Sequence, residues 1–377
     1  MKTRNYPKPI LDAREQALIG TLQKEFEAFT TPGFIERSLK KLTNAVGRLA
    51  PAWLKNALSK AQSSMSDWEF IQKTLEIAEK GFHKLTQEAS RITISKPGVI
   101  EKLAARGPVF SAFEEVCLVR SYDIQAVIES KTYQDMLLAT IEGVATGVFG
   151  LFGLPFNLAL SFFLYFRATQ SVALHYGYDV KDDPLELQFA AEVTMQSLDP
   201  NFSGSGLGGF IGKMMVAAEL TALWQALGKT YVEMARRGGS ALLYAQIRAL
   251  ANKAAKKALE KAGQEGIEAG IFKTLLAQLA KRMPKEAGKK GIPIIGGLIG
   301  GLSDAYLMSR ILRGAKLIYH KRYLFEKEHR ISLLKKPRKP RKNTKKVPAP
   351  RNTSHTPSGA LTVAARRRQK QSPSSAV

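Results

Sequence analysis

GVATGVFGLFGLPFNLALSFFLYF, residues 143–166, runs for 24 positions without a charged side chain, in a chain of net charge +25. A helix that crosses a bilayer needs about 20 predominantly apolar residues, so the length suffices for a span. The punctuation is not that of a plain span. Gly143, Gly147, Gly150, Gly153 and Pro155 crowd the first half, and Asn157 follows. Proline lacks the backbone donor that a helix interior uses, and its ring collides with the preceding turn, so Gly153-Leu-Pro-Phe-Asn157 reads as a bend. Two apolar limbs meeting at a bend predict a helical hairpin over residues 132–176. Such a hairpin either dips into one leaflet and returns, or packs inside a helical core, since both demand uncharged, glycine-rich faces. On the first reading Phe149, Leu151, Phe152, Leu154, Pro155, Phe156, Phe162 and Phe163 enter lipid, while Glu142, Arg167 and Lys213 lie near the interface.

Outward from this stretch the chain carries helical rather than strand periodicity, which predicts an all-α, multi-helix bundle. Leu18, Leu22 and Phe26 mark a helix within Leu11–Phe29, and Trp68, Ile71, Leu75 and Ala78 mark another. Thr30-Thr-Pro-Gly33, Lys96-Pro-Gly98 and Arg106-Gly-Pro108 read as breaks. Pro51 and Pro184 sit where helices begin. Asn201–Gly209 reads as a flexible joint, followed by helices over about 211–236, 240–262 and 267–282. Ala251–Lys261 is a basic amphipathic surface, either a solvated helix face or a contact for anionic lipid. A second apolar run, GIPIIGGLIGGL at 291–302, is too short to span alone. Its Gly296, Gly297, Gly300 and Gly301 permit close helix packing. Packed on the hairpin, this run adds Ile294, Ile295 and Ile299 to the insertion candidates. A last helix passes through Tyr306, Leu307, Ile311 and Ile318 to about Leu334. The organisation this predicts is N-terminal helices over 1–60 and a core over 61–330, holding the hairpin and a second apolar segment at 291–313. A tail over 331–377 follows.

The hydrophobic fraction of 45% is enough for a sizeable buried core. Charge is spread unevenly. Residues 330–377 hold 14 Lys/Arg and no Asp/Glu, while the remainder keeps 43 Lys/Arg against 32 Asp/Glu. A tail of this composition buries too little apolar area to offset the entropy of ordering it, so a disordered basic C-terminal tail is expected. Its Lys335, Lys336, Arg338, Lys339, Arg341, Lys342, Lys345 and Lys346 suit anionic phospholipid. Nucleic acid is the other anionic partner, but the tail has no aromatic side chain to stack on bases. The single cysteine, Cys117, in an apolar context, reads as a small buried hydrophobe and fits a reducing compartment. The N-terminus has no apolar run resembling a secretory signal, and a cytosolic address follows as the expectation.

Chemistry leaves few marks. The sequence contains no GxxxxGK[ST], HExxH, GxSxG or CxxC pattern. The glycine-rich 204–209 segment matches no phosphate-loop pattern in full, and no cofactor or metal is expected. The densest constellation is His175, Asp179, Asp182, Asp183 and Glu186. With His175 and Asp179 four apart, acid–base or metal chemistry needs these groups to converge. Helix capping by Asp182 or Asp183 explains the same residues without chemistry.

Several of these segments together resemble the EcsC family of bacterial proteins. They are Leu49-Ala-Pro-Ala-Trp-Leu54, the glycine-rich run ending at Leu154-Pro155, Arg167, and Ala173-Leu-His-Tyr-Gly-Tyr-Asp179 before Pro184-Leu-Glu186. Ile292-Pro-Ile-Ile-Gly-Gly-Leu-Ile-Gly300 follows, with Asp304-Ala-Tyr306 and the basic stretch from Arg310 to Arg322. Gly297 and Asp304 depart from the family's pattern there. The resemblance covers residues 10 to 330. It implies a helical, membrane-associated protein, and an ABC transporter as possible partner, because the family is named for an operon that encodes one. It supplies a fold and a location, not a reaction. The leading expectation is therefore a structural or regulatory protein at the cytoplasmic face of the cell membrane. The alternatives are a cytoplasmic hydrolase or metal-dependent enzyme using His175 and Asp179, and a nucleic-acid binder using the tail.

Overall fold

A helix begins at Ala13 because Asp12 and Glu15 close a capping box: the Asp12 carboxylate accepts from the Glu15 N–H at 2.8 Å, and Glu15 reaches back to the Asp12 N–H. This helix, α1 (Ala13–Thr30), opens a computed structural model that describes residues 6–31, 67–89, 95–105, 112–130, 154–198, 206–229, 238–260, 266–282 and 302–335. All belong to one unit, Met1–Lys336. The described residues form α2 (Asp67–Lys80), α3 (Phe82–Glu88), α4 (Lys96–Ala104), a 3-10 turn (Phe113–Leu118), α5 (Ser121–Ile128) and α6 (Leu154–His175). Then come α7 (Pro184–Leu198), α8 (Leu207–Val216), α9 (Leu220–Ala226), α10 (Gly239–Glu260), α11 (Ile267–Arg282) and α12 (Leu302–Lys335). No strand occurs among them, so the all-α class holds.

Helix α6 is a core helix. It is covered by α2, α3, α4, α7, α11 and α12, while α10 packs on α7, α11 and α12. Phe163 lies 4.9 Å from the Phe272 ring of α11 and 5.2 Å from Phe82 of α3, both edge-on. Burying one such phenyl ring contributes about 1.5–3 kcal/mol. The uncharged run is thus explained, over its second limb, by protein packing. Phe162 and Phe163 are buried within the chain, and Pro155 is buried too. These residues would meet lipid only if the bundle opened. Arg167, expected at an interface, is instead held by Glu268 of α11 at 2.8 Å. The first limb, with Phe149, Leu151 and Phe152, lies outside the described residues, as does the apolar segment with Ile294, Ile295 and Ile299. The Leu154 side chain is likewise outside them.

At its C-terminus α6 ends in a Schellman motif. The Tyr178 N–H reaches the Ala173 carbonyl and the Gly177 N–H reaches that of Leu174. Gly177 takes φ +76°, and a Cβ there would stand 2.5 Å from the Arg330 guanidinium, so both conformation and space require glycine. Asp183 then caps α7, accepting from the Leu185 N–H at 3.0 Å with Pro184 in the first turn. Tyr176–Asp183 is consequently a fixed turn between two buried helices.

Of three expectations about boundaries, one holds and two need correction. Lys96-Pro-Gly98 marks a boundary as expected, and it is the opening of α4, because Ser95 caps the helix and proline is tolerated in a first turn. Over its described part, residues 211–229, the helix expected over 211–236 is two helices. Ala217 takes extended backbone after α8, and the chain turns again at Gly228 with φ +68° after α9. Its start also consumes part of the expected joint, since Leu207–Gly209 are helical. Finally, residues 331–335 are the last turn of α12 with Ile331 buried, so the ordered body extends past 331.

Candidate functional site

Helix α12 is the longest of the described helices, and its middle is unusual in composition. Tyr319-His-Lys-Arg-Tyr-Leu-Phe-Glu-Lys327 are nine consecutive residues, all buried. A helix enclosed on every side is normally apolar all round. Here it carries Lys321, Arg322, Glu326 and Lys327 into the interior, and buried charges persist only when paired.

Arg322 is paired completely. Its Nη1 and Nη2 donate to the two Glu186 oxygens at 2.6 and 2.8 Å, and its Nε donates to Glu326 Oε1 at 3.0 Å. The guanidinium lies 4.0 Å from the Tyr178 ring centroid and 4.2 Å from that of Phe189, one from the turn and one from α7. Burial opposes the charge, but the two carboxylates outweigh it and hold Arg322 above the ordinary arginine range. Arg330, two turns on, donates to the Tyr176 and Gly177 carbonyls at 2.9 and 2.7 Å. Together these contacts clamp the C-terminal half of α12 to the turn.

One turn away, Lys327 donates to Glu15 Oε1 at 2.6 Å and to the Val119 carbonyl at 3.0 Å. Glu15 also accepts from Arg120 Nη1 and from the Ser121 N–H, each at 2.8 Å. Burial would raise the Glu15 pKa, yet Lys327, the Ser121 N–H and Arg120 together hold it below the usual carboxylate range. Lys321 is pushed down to about 8, chiefly by burial, and its Nζ donates to the Met215 carbonyl at the end of α8. Burial also holds His175 and His320 near 4, and so neutral at physiological pH.

Glu15 and Arg322 bracket a longer pattern, because the sequence profile of the EcsC protein family matches residues 15–324. The chain belongs to the EcsC protein family. No curated protein and no solved structure matches it. The match begins at the carboxylate that anchors α1 and ends two residues after the arginine that anchors α12. The EcsC-family region of this chain therefore includes Glu15 and Arg322, while Glu326, Lys327 and Arg330 lie just past its end.

The enzyme-like constellation expected around His175 does not assemble in this EcsC-family fold. His175 is the last residue of α6, buried, with Nδ1 2.8 Å from the Ser171 carbonyl. Asp179 lies beyond the turn, where Lys96 of α4 bridges it to Asp182, both at 2.5 Å. Asp183 caps α7 and pairs with Arg248 of α10 at 2.6 Å, while Glu186 faces inward to Arg322. Capping and pairing account for each carboxylate. Among the described residues no group of three or more His, Cys, Asp or Glu could hold a metal ion. A shallow cleft between α7 and α11, edged by Gln188, Glu192, Thr274 and Gln278, has room for about one water. Cys117 is buried as a small hydrophobe. On α10, Ala251, Ala255 and Ala258 are buried while Lys253 and Lys256 face out, which is the expected amphipathic face. Of the lipid-binding candidates, Lys335 ends α12 with its Nζ 5.1 Å from the Tyr6 ring centroid. Those from Lys336 to Lys346 lie outside the described residues. Sequence reasoning missed Glu15, Arg120, Arg322, Glu326, Lys327 and Arg330. Two signals were present: the Asp12-x-x-Glu15 capping pattern, and a helix in which residues 319–327 leave no uncharged face wide enough to bury alone.

Proposed function

We propose that this EcsC-family protein is a peripheral, structural or regulatory protein, held by charge at the cytoplasmic face of the cell membrane. The observation that carries this reading is the 14 Lys/Arg, with no Asp/Glu, in residues 330–377. Eight of them, from Lys335 to Lys346, are packed into 12 positions just where α12 ends. Each cation near an anionic leaflet contributes about 1 kcal/mol, so such a block suffices for reversible attachment. Two features of the fold agree with attachment by charge. No helix among the described residues is long and apolar enough to cross a membrane, and α6 is occupied in the core. Phe149, Leu151, Phe152, Ile294, Ile295 and Ile299 enter the proposal as insertion candidates on their sequence alone. An ABC transporter is the protein partner that the family resemblance suggests for such a surface protein.

Flotation of the full chain with vesicles containing anionic lipid tests the reading, alongside a variant with Gln at the eight cationic positions. The expected result is flotation at low salt, release at high salt and no flotation of the variant. Flotation that survives both salt and substitution would assign attachment to apolar insertion instead. A protein that never floats, yet binds RNA in a salt-sensitive way through the same eight residues, would replace lipid with nucleic acid.

A further inference from the structure

Glu326 closes the Arg322 cage with one oxygen to spare. Its Oε1 accepts from Arg322 Nε, while Oε2 is buried without a hydrogen-bond partner. An ionised carboxylate offers about four acceptor sites, and leaving most of them empty in a dry interior is costly. The surrounding groups do little to relieve that cost. Arg322 directs both Nη donors at Glu186 of α7. Arg330 spends its own two on backbone carbonyls of the turn. Lys327, the next residue on α12, points to Glu15 of α1 and the Val119 carbonyl. From α10, Arg248 is drawn to Asp183, and Tyr244 faces His329. The phenols of Tyr178 on the turn and Tyr319 on α12 are also buried with no hydrogen-bond partner, while Tyr323 donates to Val116 and Val119. Arg322 thus has two carboxylates, one engaged through both oxygens, the other through one.

We propose that Glu326 is a proton-binding switch: it holds a proton while α12 is seated on the Tyr176–Asp183 turn, and releases it to solvent when that seat opens. The proton supplies a donor on Oε2 and removes the Glu326 charge beside that of Glu186. Burial, reinforced by the Glu186 charge and opposed by Arg322 and, more weakly, by Arg330, pushes the Glu326 carboxyl up from its ordinary value. The seated state then binds more protons than the open state between the ordinary carboxylate value and this raised one. Opening is favoured as pH rises through that window and levels off above it. The helix being released is the one that ends at Lys335, so the switch governs how firmly the base of the basic segment is held. The proposal stands whether or not that segment binds lipid.

Two measurements on the full chain test it. Infrared spectroscopy of wild type and Glu326→Gln should reveal a buried protonated carboxylic acid in wild type that disappears on raising pH and is absent from the variant. Hydrogen exchange of the α12 amides, corrected for intrinsic base catalysis, should show wild-type opening rising with pH more steeply than the variant's. The excess is up to tenfold per pH unit inside the window. Absence of the acid band, as expected if a water satisfies an ionised Glu326, overturns the proposal, and so do parallel exchange profiles. If Glu326→Gln fails to fold, wild type alone decides. The acid band and the excess opening must share one midpoint, and separate midpoints refute the coupling.

Discussion

The Glu15 carboxylate accepts from groups 105, 106 and 312 positions away in sequence, so one side chain fastens α1 to both α5 and α12. A buried pair of this kind is worth little against an apolar replacement of both partners, but breaking it from one side strands a charge. Glu15→Gln is therefore expected to destabilise by about 3–5 kcal/mol, because Lys327 and Arg120 lose their carboxylate. Lys327→Met alone leaves Arg120 and the Ser121 N–H on Glu15 and costs less. The double variant should be distinctly more stable than the sum of the two losses, since both charges leave together. Urea midpoints of the four proteins check this, and simple additivity would mean that the cluster does not act as a unit. The neighbouring polar residues show how far side-chain chemistry can be anticipated. His175, Asp179 and Asp183 were conspicuous because they are close in sequence, yet their side chains bind Ser171, Lys96 and Arg248 respectively. Arg322 and Glu186 are 136 positions apart, and no local spacing announces such a pair.

At the scale of elements, legibility followed the strength of local signals. Helix α1 was visible from its four-residue apolar spacing, and α7 from Asp183-Pro184. Both signals are local in sequence and need no partner. Helices α8 and α9 were read as one, because Ile211–Ala226 keeps a helical composition across Ala217–Glu219. Extended backbone at Ala217 and Glu219 separates them. Membrane or core was undecidable for α6 because phenylalanines suit either; the decision came from Phe82 and Phe272, which belong to other helices. Glycine-mediated packing gives the sharpest test at this scale. Gly314 lies inside α12, where alanine would ordinarily stabilise by roughly 0.5–1 kcal/mol. A Cβ there would stand 2.3 Å from Ser197 Oγ and 2.7 Å from Ser197 Cβ on α7, and 3.1 Å from Phe29 of α1. Gly314→Ala should therefore destabilise by about 1–3 kcal/mol through overpacking, reversing the usual sign. Ser197→Gly in the same chain should recover part of the loss. A thermal melt in which Gly314→Ala raises Tm would refute the close approach of α7 and α12.

For the whole molecule, the buried histidines predict how the fold meets acid. A chain of net charge +25 already repels itself, and protonation of carboxylates below neutral pH adds to that repulsion. His320 adds a local cost. Its ring stacks on Tyr176 at 5.5 Å, and neither ring nitrogen has a hydrogen-bond partner. Burial, with Lys316 adding to it, holds His320 near 4 in the fold against 6.5 for an ordinary histidine. The unfolded chain thus binds a proton that the folded chain refuses throughout that interval. Stability conferred by the neutral ring is complete above pH 6.5 and is lost as pH falls through it toward 4, by at most about 1.4 kcal/mol per pH unit. His175 contributes in the same direction, while Glu326, whose carboxyl burial pushes up from its ordinary value, contributes in the opposite one. His320→Phe isolates the term, because it keeps the stack on Tyr176, removes two unsatisfied polar atoms and forfeits no hydrogen bond. At neutral pH the variant should be at least as stable as wild type. On acidification both proteins lose stability to the shared charge repulsion, but the variant loses less, and the gap widens down to about pH 4 before becoming constant. Urea midpoints at intervals across this range decide the matter. Curves that stay parallel would mean that His320 is protonated in the folded state, and that its pocket admits water.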